Sequence, residues 1–344
     1  MNLEKRIFFV SCFLIILLSA LIIINVLKNI GQENKRKEQE QKENEILQEQ
    51  KDIIEYKANQ TIRVKICSTG EIIAMDVNDY LRGVLPSEMP PYYNIEALRA
   101  QAVVARTYLY RKMQYGGEGD GADICDNYAH CQAFYNKTQI FNIWARKGYD
   151  ENLRREYFNN VNEAVVSTQN EVIVYNGQYI RAYFHASSPV RTESSTEIWG
   201  KEQIPYLVSV ENNESEEYAN RQSTVEISYE DFIKRLNEKL SLNIQNISDN
   251  EDVKINEYTS SGRVKNISVC GNLISAEKLR TIFSLRSTLF NVECRDEKVI
   301  FNVIGNGHGL GLSQVGADYY GSSGMSYIDI IKHYYTGVDV IKID

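Results

Sequence analysis

Hydrophobic and polar residues fall into three textures along this chain. Residues 7–27, IFFVSCFLIILLSALIIINVL, carry no charge, and only Ser11, Ser19 and Asn25 among them are clearly polar. As a helix rising about 1.5 Å per residue, such a run spans roughly 31 Å, enough for a bilayer core of about 30 Å. Lys28, Asn29 and Ile30 follow it, not the small-residue site of a cleaved signal peptide, so the pattern predicts an uncleaved transmembrane helix behind a short tail at 1–6. Lys5 and Arg6 flank one side, and Lys28, Lys35, Arg36, Lys37 and Lys42 the other. Charge counting leaves the orientation open, because long domains translocate largely regardless of it. Residues 28–59 read as a polar stalk: between 31 and 51 only Ile46 and Leu47 are large and apolar, too few to bury a core.

From residue 60 to 344 the texture becomes that of a folded domain. TIRVKI and EIIAMDV around Gly70 predict a hairpin. Asn78 is placed as the cap of a short helix through Leu85, and Asn94 as the cap of a long one through about Tyr115. A helix is expected over 157–168. EVIVY, Asn176-Gly177 and QYIRAYF predict a type I′ hairpin. TVEIS, a helix over YEDFIKRLNEKL, a hairpin at Ser261-Gly262, a helix capped by Ser275, and strands LFNVEC and EKVIFNVI follow. Ser326 and Asp329 make a capping box for a last helix, with Gly337 as its stop. Strands and helices interleave without regular βαβ spacing. The predicted class is therefore α+β, with mixed helices and antiparallel strands.

Composition narrows the function. Thirty-eight basic and 46 acidic side chains leave a net charge of -8, which argues against a protein built to neutralise nucleic-acid phosphates. Six cysteines are too few for a disulfide-dense scaffold.

Five segments carry candidate chemistry. In PSEMPP, Glu88 sits among prolines and a methionine, followed by Tyr92 and Tyr93. An apolar, aromatic wall there would raise its pKa, as a general acid requires; a solvated Glu in a Pro-rich turn is the plainer reading. Downstream, Gln101 and Arg106 lie on the long helix, and Arg106 offers a planar fork for a carboxylate or for a salt bridge. Cys125, His130 and Cys131 can supply three ligands to zinc, with Glu118, Asp123 or water as a fourth; a Cys125–Cys131 disulfide is the rival. Cys270 and Cys294 lie on neighbouring predicted strands and are placed as a second candidate pair. The segment 185–195 is dense in hydroxyls but has no G-x-S-x-G elbow, so a Ser–His hydrolase competes with a polar loop bonding its own backbone. GNGHGLGLSQVGA at 305–317 fails the dinucleotide fingerprint and leaves either close backbone approach to a ligand or a tight structural corner.

Taken in order, LPSEMP, EALRAQAVVARTY, CDNYAHCQAFY, RTESSTEIWG, GNGHGLGLSQVGA and IIKHYYTGVDV resemble the SpoIID/LytB family over residues from about 62 to the end. The chain departs from that pattern at Pro189-Val190 (paired glycines in many members), at Asn306-Gly307 (a Trp before the late His-Gly in many) and at Val208 (a Lys in some). The resemblance implies a membrane-anchored lytic transglycosylase that cuts peptidoglycan glycan strands, preferably peptide-free ones, during spore formation. It implies a sporulation amidase and a membrane scaffold protein as partners. The residues at 1–6 would be a cytoplasmic tail and 60–344 would lie between mother cell and forespore. Glu88 would be the catalytic acid and base, and Arg106 a holder of the muramic acid carboxylate. Gln101, Tyr92, Tyr93, Tyr206, Ser194, Ser195, His308, Ser313 and Gln314 would contact the glycan. Some members bind zinc through a Cys pair and His residues. Here Cys125, His130 and Cys131 match, but the upstream His is absent, since the histidines are at 130, 185, 308 and 333.

Overall fold

The computed structural model describes Lys37 and residues 61–200, 203–215 and 222–343. The transmembrane helix and the stalk expected before residue 60 lie outside these residues; among the described ones no helix is long and apolar enough to cross a membrane. Apart from the turn at Asn176–Gln178, the residues from Thr61 onward group into one unit.

Strands β1 (Thr61–Lys65) and β2 (Ile72–Asp76) pair antiparallel, as their alternation predicts, and Ile124–Cys125 adds a short parallel partner to β1. Helix α1 (Val77–Glu88) is capped two residues before the expected position. Asp76 is the N-cap and accepts the Asn78 N–H at 2.8 Å, since Asp76 holds extended backbone at the strand end while Asn78 is already helical. Pro86 removes an intrahelical donor, and Pro90 forces Met89 into the β region, so α1 ends at Glu88. Helix α2 (Ile95–Gln114) is capped by Asn94 as expected and is buried on most of its faces. It packs against α1, α4 (Glu151–Ser167) and strand β3 (Glu171–Tyr175). Helix α3 (Lys137–Arg146) was legible in the capping box Asn136/Gln139 but not predicted, and α4 begins six residues before the expected 157, capped by Asp150.

After β3 the Asn176-Gly177 turn takes φ of 49° and 78°, the type I′ signature. Its second strand is only Gln178–Tyr179, because the chain then leaves the sheet, and Phe184–His185 pairs in parallel with Leu312–Ser313. Strand β4 (Gln222–Ser228), helix α5 (Tyr229–Leu240), the meander β5 (Val253–Tyr258), β6 (Val264–Val269) and β7 (Asn272–Ser275), helix α6 (Ala276–Phe283) and strands β8 (Phe290–Arg295) and β9 (Lys298–Ile304) follow in order. They enclose a core of their own, with Phe232 stacked on Phe283 at 4.8 Å and Phe290 edge-on to Phe301 at 5.2 Å. The sheets are β5-β6-β7 and β8-β9-β4, all antiparallel. Helix α7 (Gln314–Ser322) then returns to pack on α2, α8 (Tyr327–Tyr334) carries the expected Ser326 cap, and β10 (Asp339–Lys342) pairs with β3. The α+β class is thus observed. All five described cysteines are free thiols, so the candidate pairings Cys270–Cys294 and Cys125–Cys131 are not made.

Candidate active site

Glu88 is the last residue of α1, at the negative end of that helix. Its Oε1 accepts the Ala133 N–H at 2.7 Å. Burial raises its pKa, and the Ala133 bond opposes the shift only in part; a helix C-terminus also disfavours negative charge. The carboxyl is half-buried, in the surroundings a proton donor needs.

Two cavities meet at this carboxyl. One, of about 240 Å³, is lined by Glu88, Tyr92, Tyr93, Ser187, Arg286, Asn306 and Gln314 among others. The second, of about 250 Å³, shares Glu88, Pro90 and Tyr92 and is completed by Trp144, Lys147 and Tyr149. Glu88 is the only carboxylate lining either, among the described residues. The cavity walls come from distant parts of the chain. The Pro90–Tyr93 turn is closed by Tyr93 N–H to the Pro90 carbonyl, and Asn94 N–H reaches Asp318 Oδ1 on α7 at 2.7 Å. Ser187 and Asn306 exchange backbone hydrogen bonds at 3.0 and 2.8 Å, which locks the 186–187 wall to the 305–306 corner.

The structure brings Glu88, Tyr92, Tyr93 and Gln314 together. Gln101 stands behind Gln314, buried, its Oε1 3.5 Å from Gln314 Nε2. The remaining candidates are elsewhere. Arg106 is 1% exposed and its guanidinium is spent on the protein: Nη1 donates to the carbonyl of Thr168 at 2.7 Å and Nη2 to that of Val165 at 3.2 Å. Desolvation lowers its pKa to about 10. It pins α2 to the α4–β3 corner, out of reach of a ligand carboxylate. Tyr206 is buried, with its hydroxyl accepting the Arg181 N–H at 2.8 Å. Ser194 Oγ meets Thr196 Oγ1, and Ser195 Oγ accepts the Ile204 N–H at 2.9 Å, so these hydroxyls serve their own loop. Ser313 caps α7 and donates to Glu214 at 3.1 Å.

His308 is not in the cavity lining; its Nδ1 accepts the Leu310 N–H at 3.0 Å, and burial followed by nearby Arg280 and Arg263 lowers its pKa to about 4. The glycines around it make a structural corner: at Gly311, with φ of 66°, a side chain would collide with the Tyr183 carbonyl. Arg286, Trp144, Lys147 and Tyr149 were not signalled by any motif, and only the fold carries them to Glu88.

Glu118, Cys125, His130 and Cys131 converge, with one ligand atom from each within 4.8 Å of all the others. His130 Nδ1 lies 3.4 Å from Cys125 Sγ, 3.6 Å from Cys131 Sγ and 3.0 Å from Glu118 Oε2, while Cys131 Sγ is 3.1 Å from Glu118 Oε1. Bonds of about 2.0–2.3 Å in a tetrahedron give edges close to these values. Two thiols, an imidazole and a carboxylate therefore fit zinc, with Glu118 in the fourth position. The cluster ties the turn after α2 to the loop that continues through Gln132 to Ala133, the residue bonded to Glu88. Farther along, Phe134 stacks on Tyr80 of α1 at 5.5 Å.

Residues 67–175 match the family model for SpoIID, described as stage II sporulation protein. Stage II sporulation protein D of Bacillus amyloliquefaciens is 30% identical over 272 residues, covering 78% of this chain and 75% of that one. Its counterpart in Bacillus subtilis (strain 168) is 28% identical over 270 residues, with the same coverage of each. An amidase enhancer of Bacillus subtilis is 27% identical over 306 residues, covering 75% of this chain and 39% of its own. With similarity of this extent joining the motif-bearing segments that surround Glu88, the chain belongs to the SpoIID family of stage II sporulation proteins.

Proposed function

We propose that this protein is a lytic transglycosylase acting on peptidoglycan glycan strands during sporulation, with Glu88 as its one acid–base group. The observation that carries the reading is a lone half-buried carboxylate where two cavities meet, with its pKa raised by burial. Hydrolytic glycosidases as a rule place two carboxyl groups about the scissile bond, one to activate or replace water. A lytic transglycosylase has no attacking water, so one carboxyl suffices. Protonated Glu88 gives its proton to the glycosidic oxygen as the C1–O bond breaks. The carboxylate left behind then takes the proton of the C6 hydroxyl on the same muramic acid as that oxygen bonds C1. The product is a 1,6-anhydro end, and the carboxyl is again protonated. The two cavities hold sugars on either side of the cleaved bond, with Tyr92 as the shared aromatic face.

Zinc held by Glu118, Cys125, His130 and Cys131 would cross-link the loop and leave no open position for substrate, a structural and not a hydrolytic role. The apolar run at 7–27 would anchor the domain outside the mother-cell membrane, alongside an amidase that strips stem peptides and a membrane scaffold.

The test is mass spectrometry of products from peptide-free glycan. The wild-type protein should yield anhydro ends, one water lighter than hydrolysed ends, and Glu88→Gln should yield none while remaining folded. Similarity to an amidase enhancer supports a second reading, a non-catalytic cell-wall module. That reading predicts glycan binding without new chain ends from either protein.

A further inference from the structure

Arg106 was the arginine expected to hold a substrate carboxylate, and its guanidinium is buried among backbone carbonyls. The cavities nonetheless each contain a cation. Arg286 lines the first and Lys147 the second, and Glu88 lines both. Neither side chain makes a hydrogen bond or ion pair among the described residues. Arg286 is also exposed, on a backbone held at both ends. Its carbonyl accepts the Gly307 N–H at 2.8 Å, and Ser287, fully buried, donates its hydroxyl to the Ile304 carbonyl at 2.5 Å. A fixed backbone carrying an uncommitted planar cation at a cavity wall is suited to recognising a carboxylate from outside the chain. Lys147 has a simpler reason to be present, as the C-cap of α3, where a cation favours the helix dipole, and is the weaker of the two.

We propose that Arg286, assisted by Lys147 across Glu88, binds lactyl carboxylates of muramic acid and so reads whether the stem peptide has been removed. This rests on the glycan-strand reading above. A lactyl group still joined to peptide is a neutral amide. Removal of the peptide turns it into a carboxylate that can accept two parallel N–H bonds from a guanidinium. Selection for stripped strands then resides in a charge-assisted contact in the cavity that also holds the acid–base group.

The experiment measures binding in the inactive Glu88→Gln background, by calorimetry, with two muramyl oligosaccharides. One has free lactyl carboxylates; the other is the same compound with those carboxylates converted to methylamides. The Arg286-containing protein should bind the free acid more tightly. Arg286→Gln should weaken the free acid by roughly 10- to 100-fold and leave the amide unchanged, the range for a charge-assisted pair. Arg286→Lys should recover part of the loss, and Lys147→Gln should cost about 3- to 10-fold on the free acid alone. An equal loss on both compounds, or none on either, overturns the assignment while leaving the glycan reading intact. Failure of the Glu88→Gln protein to bind either compound overturns both. Thermal unfolding of each variant shows whether a loss on both compounds reflects misfolding, and Arg286→Lys then decides the assignment.

Discussion

The two walls that face each other across the first cavity hold carboxylates of opposite kinds. On one wall Glu88 accepts a single hydrogen bond, from Ala133 N–H. On the other side, behind Ser187, Glu214 accepts four: the Ser187 hydroxyl at 2.6 Å, the Ser188 N–H at 2.7 Å, the Asn212 amide at 3.0 Å and the Ser313 hydroxyl at 3.1 Å. Glu193 is similarly supplied, by Ser194 N–H and by the hydroxyls of Thr259 and Ser261. A carboxylate ringed with donors acts as a strut between the segments that supply them. One that is desolvated with a single donor has its pKa raised and remains available to a ligand. Dense polar motifs occur on both walls, so what separates chemistry from packing is where the donors point.

The contrast is broken most severely at Glu88. Glu88→Gln should lower the rate of anhydro-end formation by about 10³-fold or more, read by product mass spectrometry. The pH profile sharpens the point. Wild-type turnover should fall as pH rises through a Glu88 pKa lying above the ordinary carboxylate value of about 4.3. Because that folded pKa is raised, the stability that proton uptake contributes is present at low pH and is lost as pH rises through it. Glu88→Gln lacks the loss, and denaturant unfolding at pH 7 should show it at least as stable as wild type.

Arg106→Met should cost about 3 kcal/mol of stability, because it leaves the carbonyls of Thr168 and Val165 without their donor. Its KM for glycan should be unchanged at a temperature where it is folded; a raised KM with normal stability would return Arg106 to substrate binding. Glu214→Ala should cost about 2 kcal/mol in denaturant unfolding, with its donors left to water or to nothing. If Glu214→Ala instead abolished turnover without loss of stability, the two carboxylates would have exchanged roles.

A pH-dependent effect concerns His308, with its pKa held down to about 4 by burial. The unfolded chain takes up this proton first as pH falls below about 6.5, so its contribution to stability is complete above that value and is lost toward pH 4. His308→Gln should flatten the acid side of the stability curve by up to about 3 kcal/mol, measured by thermal unfolding between pH 4 and 7.

Much of the fold is legible in the sequence. Local patterns marked β1, β2, α2, the Asn176-Gly177 turn, α8 and, apart from β7, the elements from β4 to β9, because alternation, caps and turn residues act over a few positions. The cap of α1 shifted by two residues, since Asp76 and Asn78 are both capping types and only strand geometry chooses between them. LPSEMP identified Glu88 because the prolines around it set the helix end that presents it.

What the sequence by itself determined is therefore the α+β class, the family motifs, the acid–base candidate and three members of the Cys–His cluster. Tertiary structure alone decided the rest. It buried Arg106, Tyr206 and Ser195, turned Ser194 to the Thr196 hydroxyl and Ser313 to the backbone of its own helix, chose Glu118 as the fourth member of the cluster, and carried Arg286 and Lys147 to the groove. The physical reason is range: caps and alternation are set by neighbours a few residues apart. Whether a polar side chain meets a carbonyl or a cavity depends on chain that returns from 60 or more positions away, as Thr168 does to Arg106 and Arg286 does to Glu88.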